Sequence, residues 1–140
     1  MNEQSRLKNT QNTASCSSHK TFILTIRVYY EDTDAGGVVY HSTYINFFER
    51  ARTELMRQIG YELDELAEEE RILFVVRKLS CEYKQAAKFN DELFVSAEII
   101  EAGKTRIEFE QKVMKAAPPD HRKDEACITL AISHVTVVCV

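Results

Sequence analysis

Thr105-Arg106-Ile107-Glu108-Phe109-Glu110-Gln111-Lys112-Val113 alternates without a break. Thr105, Ile107, Phe109, Gln111 and Val113 fall on one face, and Arg106, Glu108, Glu110 and Lys112 on the other. A period of two with one wet face marks a strand in a half-buried antiparallel sheet. Ala102-Gly103-Lys104 precedes it as a tight hairpin, and Leu93, Val95, Ala97 and Ile99 share one face of the strand before that. Further upstream, residues 72–76 are a short apolar run and 77–84 alternate. Downstream, 116–124 hold both prolines and read as a loop, and 126–140 return as a long last strand. Residues 22–30 (FILTIRVYY) are rich in β-branched and aromatic side chains, and predict a first strand.

One segment has a different period. Tyr44, Phe48, Ala51, Leu55 and Ile59 recur at helical spacing, and Ile45, Phe47 and Met56 widen the stripe. So broad a stripe predicts a helix buried on more than one side. Ser42 or Thr43 is expected to cap it and Gly60 to end it. Glu49, Arg50, Arg52, Glu54 and Arg57 read as its solvated or interface face. The acidic stretch 62–70 predicts a short second helix. One strand, one helix and then four strands give an α+β fold, with an antiparallel sheet covering the helix.

Composition narrows the function. With 140 residues there is room for one domain. A net charge of −4 argues against nonspecific nucleic-acid binding, which needs many cations to displace phosphate counterions. Residues 1–20 are polar, with too few large apolar side chains to offset their ordering entropy, so they are read as a disordered tail and 21–140 as the domain. The opening residues carry no apolar signal core, and nothing approaches the roughly 18 apolar residues of a membrane span. The expected location is cytoplasmic, with Cys16, Cys81, Cys127 and Cys139 as reduced thiols and no C-x-x-C metal motif.

The chemistry is expected in Glu31-Asp32-Thr33-Asp34-Ala35-Gly36-Gly37. An EF-hand is excluded because its twelfth position is Thr43 where a bidentate Glu is needed, and no helix precedes the loop. An aspartate phosphotransfer loop belongs to doubly wound folds, which the strand order disfavours. Two acids can also merely solvate a loop beside a helix N-terminus, a favourable position by about 0.3–1 kcal/mol. Against that bland reading stands the company. Free N–H groups around His41 to Thr43 can bind a developing oxyanion. A carboxylate just upstream can attack a carbonyl or activate a water. These parts suffice to hydrolyse an activated ester with no cofactor and no metal.

Arg27-Val28-Tyr29-Tyr30-Glu31-Asp32-Thr33-Asp34-Ala35-Gly36-Gly37-Val38-Val39-Tyr40-His41, followed by Tyr44 and Phe48-Glu49-Arg50-Ala51-Arg52, resembles the hot-dog thioesterases of the 4-hydroxybenzoyl-CoA thioesterase family. Within it, the likeness is to acyl-CoA thioesterases associated with the Tol–Pal cell-envelope system of Gram-negative bacteria. Phe74-Val75-Val76-Arg77-Lys78 and Glu82-Tyr83 continue it over roughly residues 21–140. The resemblance implies a long helix wrapped by a five-stranded antiparallel sheet, assembled as homodimers or homotetramers. It implies Asp34 as the catalytic carboxylate, with Tyr30 and His41 in the same site and Gly36 and Gly37 against the substrate. A CoA phosphate would want cations, and Arg77, Lys78 and Lys88 are the candidates. Glu49 is a second candidate acid, since other hot-dog thioesterases use a helix carboxylate, although an ion pair with a neighbouring Arg is the plainer expectation. This sequence has Ala86-Ala87-Lys88 where such chains commonly have Pro-Ala-Arg, Asn90-Asp91 for Asp-Asp, and ends at Val140 without the usual short basic tail.

The expected reaction is hydrolysis of a short- to medium-chain or aromatic acyl-CoA to the free acid and CoA. Two rivals are carried. One is an acyl-thioester hydratase or dehydratase on the same fold, which pairs a His with an acid in motifs absent here. The other is a binding module for acyl carrier protein, associated peripherally with the inner-membrane envelope machinery.

Overall fold

The computed structural model describes residues 21–118 and 126–140. The expected tail over 1–20, with Cys16 and His19, lies outside the described residues, as does 119–125 with His121. The chain forms β1 (Phe22–Arg27), a 3-10 turn (Tyr30–Asp32), the long helix α1 (His41–Gln58), short helical turns over Leu63–Glu65 and Leu66–Glu70, then β2 (Phe74–Tyr83), β3 (Glu92–Ala102), β4 (Arg106–Ala116) and β5 (Cys127–Cys139). All strand pairs are antiparallel, in the order β1-β3-β4-β5-β2. The expected order of elements and the α+β architecture are therefore what forms. Among the described residues no helix is long and apolar enough to cross a membrane.

The alternation of β4 works as its sequence implies. Phe109, Gln111 and Val113 are buried, while Arg106 is exposed and Glu108, Glu110 and Lys112 are half-buried on the opposite face. On the inner face, Val28, Tyr44, Phe47, Phe48 and Ala51 pack with Leu93, Val95, Ala97, Val113 and Leu130 into one apolar cluster. Met56, Phe109, Val135 and Val137 form a second. Between them lies a polar layer. Gln111 is fully buried, and its Oε1 accepts from Arg52 Nη1 at 2.9 Å. Its Nε2 donates to the Phe48 carbonyl at 2.9 Å and the Ser96 carbonyl at 3.3 Å.

Several expectations change. β1 stops at Arg27, and residues 28–30 turn off the sheet because Val28 pairs instead with the backbone of Asn90 and Asp91. α1 starts at His41, with Tyr40 as its N-cap and no side-chain cap, so Ser42 and Thr43 sit inside the helix. Ile59, expected in the buried stripe, follows the helix end and is 51% exposed. Arg52, expected on the wet face, is only 9% exposed. It stands four residues from both Phe48 and Met56, so helical phase turns it inward whatever its charge. Glu49 has no ion pair among the described residues: Arg50 lies over the Phe47 ring and Arg52 bonds Gln111. Cys81 and Cys139 are free thiols, but Cys127 is disulfide-bonded, which corrects the expectation of four reduced cysteines.

The Gln111 layer makes a stability prediction. Gln111→Ala strands a buried guanidinium and two carbonyls, so it is expected to lower unfolding free energy by about 3 kcal/mol, measured by urea denaturation.

Candidate active site

After Val28 the backbone makes one 3-10 turn, which brings two carboxylates to different fates. Asp32 is buried, 8% exposed. Its Oδ2 accepts the Tyr29 N–H at 2.9 Å and its carbonyl accepts the Tyr40 N–H at 3.0 Å. Asp32 thus closes the base of a small hairpin in which Thr33 bridges Val39. Asp34 is exposed near the tip. Its N–H donates to the Val38 carbonyl at 2.9 Å, and its carbonyl accepts the Gly37 N–H at 3.0 Å. Its Oδ1 accepts the Gly36 N–H at 2.8 Å, which fixes the side chain and leaves Oδ2 without a partner among the described residues.

The two glycines have separate reasons. Gly37 has φ +78°, where an L side chain is strained. A Cβ on Gly36 would stand 3.2 Å from Asp34 Oδ1, so the carboxylate would have to give by a few tenths of an ångström.

A strap from the β2–β3 connection holds the hairpin. The Val39 N–H donates to the Ala87 carbonyl at 2.8 Å, Val38 bridges Lys88, and the Phe89 N–H reaches the Gly37 carbonyl at 3.4 Å. Tyr30, 77% exposed, stacks on Phe89 with ring centroids 4.0 Å apart. Lys88 and Tyr30 are therefore brought to the same hairpin as Asp34, Gly36 and Gly37. The departure Asn90 sits at φ +69°, a left-handed position that Asn tolerates.

His41 is the first residue of α1, exposed, with its ring 4.3 Å from that of Tyr40. The Tyr83 hydroxyl donates to the His41 carbonyl at 2.8 Å. Tyr83 ionisation is pushed up to about 12, first by desolvation and then by the Cys81 thiol, so it remains a donor at neutral pH. Tyr44 is buried behind it and accepts the Ala87 N–H at 2.9 Å; burial raises its pKa too. No side chain caps α1, and no backbone bond takes up the N–H groups of His41 and Ser42 among the described residues. Asp34 therefore stands upstream of a helix end with open donors and a partial positive charge.

The structure does not bring Arg77 and Lys78 to this hairpin. They lie with Arg106, Glu108 and Thr136 around a separate depression on the outer side of the sheet. From Tyr83 they are five and six residues back along β2, roughly 17–20 Å at 3.3 Å per residue. Arg77 falls where the β2–β5 register slips, between Val76 and Lys78. His134 is also distant, paired with Glu110 at 3.2 Å on the outer face. Among the described residues no group of three or more His, Cys, Asp or Glu side chains is placed to hold a metal ion.

Sequence reasoning missed two residues that build the site. The D-x-D pattern treats Asp32 and Asp34 alike; the resemblance singles out Asp34, and nothing in the sequence gives Asp32 its part in closing the loop. Tyr83 has a signal in the alternation of residues 77–84, which puts it on the inner face of β2, opposite Ala131.

Comparisons with known proteins identify the family and the fold. Residues 36–119 match the Thioesterase superfamily. The acyl-CoA thioesterase YbgC of Haemophilus influenzae is 50% identical over 94 residues, 67% of this chain and 69% of that one. The acyl-CoA thioester hydrolase YbgC of Escherichia coli O6:H1 is 47% identical over 91 residues, 65% and 67% of the two chains. A probable thioesterase from Bartonella henselae superposes with a TM-score of 0.74 at 28% identity, over 86% of this chain and 91% of that one. The 4-hydroxybenzoyl CoA thioesterase of Pseudomonas sp. strain CBS-3 gives a TM-score of 0.74 at 15% identity, over 86% and 84%, and so shares the fold.

The two carboxylates are expected to separate by stability. Asp32→Ala removes a buried acceptor and should lower unfolding free energy by about 1–3 kcal/mol. Asp34→Ala loses one exposed bond and should stay within about 0.5 kcal/mol of the parent. Paired urea titrations check both.

Proposed function

The chain belongs to the thioesterase superfamily and has a hot-dog fold, and from this we propose that it hydrolyses acyl-CoA thioesters to the free acid and CoA with Asp34 as the acting carboxylate. The relatives named above support the substrate class. The observation that carries the role of Asp34 is local: an exposed carboxylate, held by the Gly36 N–H through one oxygen only, beside the uncapped N-terminus of an 18-residue helix.

The thioester carbonyl oxygen is received by the N–H groups at His41 and Ser42. Donors fixed before the reaction stabilise charge as it develops there, and one such donor is typically worth about 10²–10³ in kcat. Asp34 then acts in one of two ways. As a nucleophile, its oxygen forms a bond to the carbonyl carbon, the C–S bond breaks, and CoA leaves as the thiolate. Water then cleaves the mixed anhydride and restores the carboxylate. As a general base, Asp34 takes a proton from a water whose oxygen attacks the same carbon, and that proton passes to the leaving sulfur. Both routes use this chain's own groups.

Tyr30 and His41 flank the reacting centre in this reading, and Gly36 and Gly37 let the acyl thioester approach the backbone. Lys88, next to Gly37, is the cation assigned to a CoA phosphate. Arg77 and Lys78 lie on β2, an unpaired sheet edge, and are assigned to CoA bound at the site of a neighbouring copy in a homodimer or homotetramer. The proposal includes a cytoplasmic enzyme in the Tol–Pal context, with acyl carrier protein as a second thioester partner; the likeness of residues 27–52 to that group supports it.

Asp34→Asn and Asp34→Ala are expected to lower kcat on an acyl-CoA by about 10³-fold or more with the fold intact, read by thiol release. Activity retained in both variants overturns the assignment. Single-turnover hydrolysis in oxygen-18 water separates the routes: label found in the Asp34 carboxyl assigns nucleophilic attack.

A further inference from the structure

A cavity of about 300 Å³ lies between α1 and the inner face of β2, β4 and β5. Its walls are apolar, including Ile45, Met56, Phe74, Leu79 and Phe109. The volume is at the low end of small-molecule sites, roughly 300–1,000 Å³. Its position relative to the site is set by helical phase. His41, Ile45, Glu49, Arg52 and Met56 follow at spacings of four, four, three and four, so they form one stripe of α1. The cavity is lined by the last four of them. It therefore runs down the helix from the face on which His41 stands, and Ile45 is about 6 Å along the axis from His41.

One polar group in that apolar wall is unusual. Arg52 is nine-tenths buried, yet its only hydrogen-bond partner among the described residues is the neutral amide of Gln111, at Nη1. None of its nitrogens is both sealed and unpartnered among the described residues, and Arg52 is part of the cavity wall. Among the described residues no carboxylate lies within ion-pair distance; Glu49 acts on it only through space, and burial still lowers its pKa. Holding a guanidinium in such a place is unfavourable unless its donors find acceptors.

We propose that this cavity takes the acyl chain of the substrate and that Arg52 donates to an oxygen carried near the end of that chain, so the enzyme selects oxygenated acyl groups over plain alkyl groups of equal length. This rests on the thioesterase reading above. Arg52 is about 16 Å from His41 along the axis, and its side chain reaches back several ångströms. The remaining ~10 Å is about eight bonds of an extended chain, taking ~1.2 Å per bond from backbone dimensions. Glu49 and Thr53 on the same wall favour a hydroxyl, which both donates and accepts, over a carboxylate.

Full-length wild-type protein is assayed with octanoyl-CoA, 8-hydroxyoctanoyl-CoA and the CoA thioester of octanedioic acid. The hydroxylated substrate is expected to exceed octanoyl-CoA by about 10–100-fold in kcat/KM, mainly through KM, with the carboxylate between them. In Arg52→Met the ratio of hydroxylated to plain substrate is expected to fall towards one. Equal or better use of octanoyl-CoA by the wild type overturns the inference, even if the variant does not fold. A variant that keeps the wild-type ratio overturns it as well. Failure of the wild type to hydrolyse any of the three removes the thioesterase reading itself, which is a distinguishable result.

Discussion

One buried side chain, Gln111, decides where α1 lies on the sheet. The apolar clusters on either side of it supply most of the attraction between the layers, but apolar contact has no direction. By itself it would let the helix slide or roll over a surface of Val, Leu and Phe. Gln111 removes that freedom by bonding Arg52 and the Phe48 carbonyl on α1 and the Ser96 carbonyl on β3. A displacement by one turn, about 5.4 Å, breaks the α1 bonds inside the core. The start of α1 is thus set from its middle. That start is where the Asp32 hairpin, the strap at Ala87 and the Tyr83 hydroxyl converge.

The hairpin divides work between two chemically identical side chains. Asp32 accepts the Tyr29 N–H through one oxygen and is shielded from solvent. Asp34, two residues on, is exposed, and its side chain is held by a single N–H among the described residues. What separates them is access: a carboxylate shut away from solvent meets neither substrate nor water, whereas an exposed one meets both. In the proposed reading the stability of the loop and its chemistry fall to different residues, which lets the second be exposed without loosening the fold.

Much of the fold was legible because its signals are periodic. The alternation at 105–113 identified not only a strand but its buried face, Gln111 included. What failed was reading residues by type where phase decides. Arg52 was placed on the wet face for its charge, although its spacing from Phe48 and Met56 turns it inward. At the site, the likeness over 27–52 collected Tyr30, Asp34, Gly36, Gly37 and His41, and the structure groups them with Lys88. Arg77 and Lys78 are no farther from Lys88 in sequence than a short segment, but an extended strand moves them away at 3.3 Å per residue. The different fates of Asp32 and Asp34 depend on which way one 3-10 turn faces, and no pattern of residue types records that.

The misplaced helix cap bears on the proposed chemistry. Ser42 and Thr43 are the residue types that normally close a helix N-terminus, and either hydroxyl would bind the N–H groups there. Had α1 begun two or three residues later, with Ser42 or Thr43 as its N-cap, the donors at its start would be occupied by the chain itself. Instead the strap draws Val39 to Ala87, and the Asp32 carbonyl takes the Tyr40 N–H, so the helix begins at His41 behind a tyrosine that cannot cap it. Leaving such an end uncapped costs about 1 kcal/mol relative to a Ser or Asp cap. Core packing along an 18-residue helix, anchored at Gln111, absorbs that easily. The open donors follow from the hairpin's geometry, so in the proposed reaction the same bonds that place Asp34 leave the helix end able to receive a carbonyl oxygen.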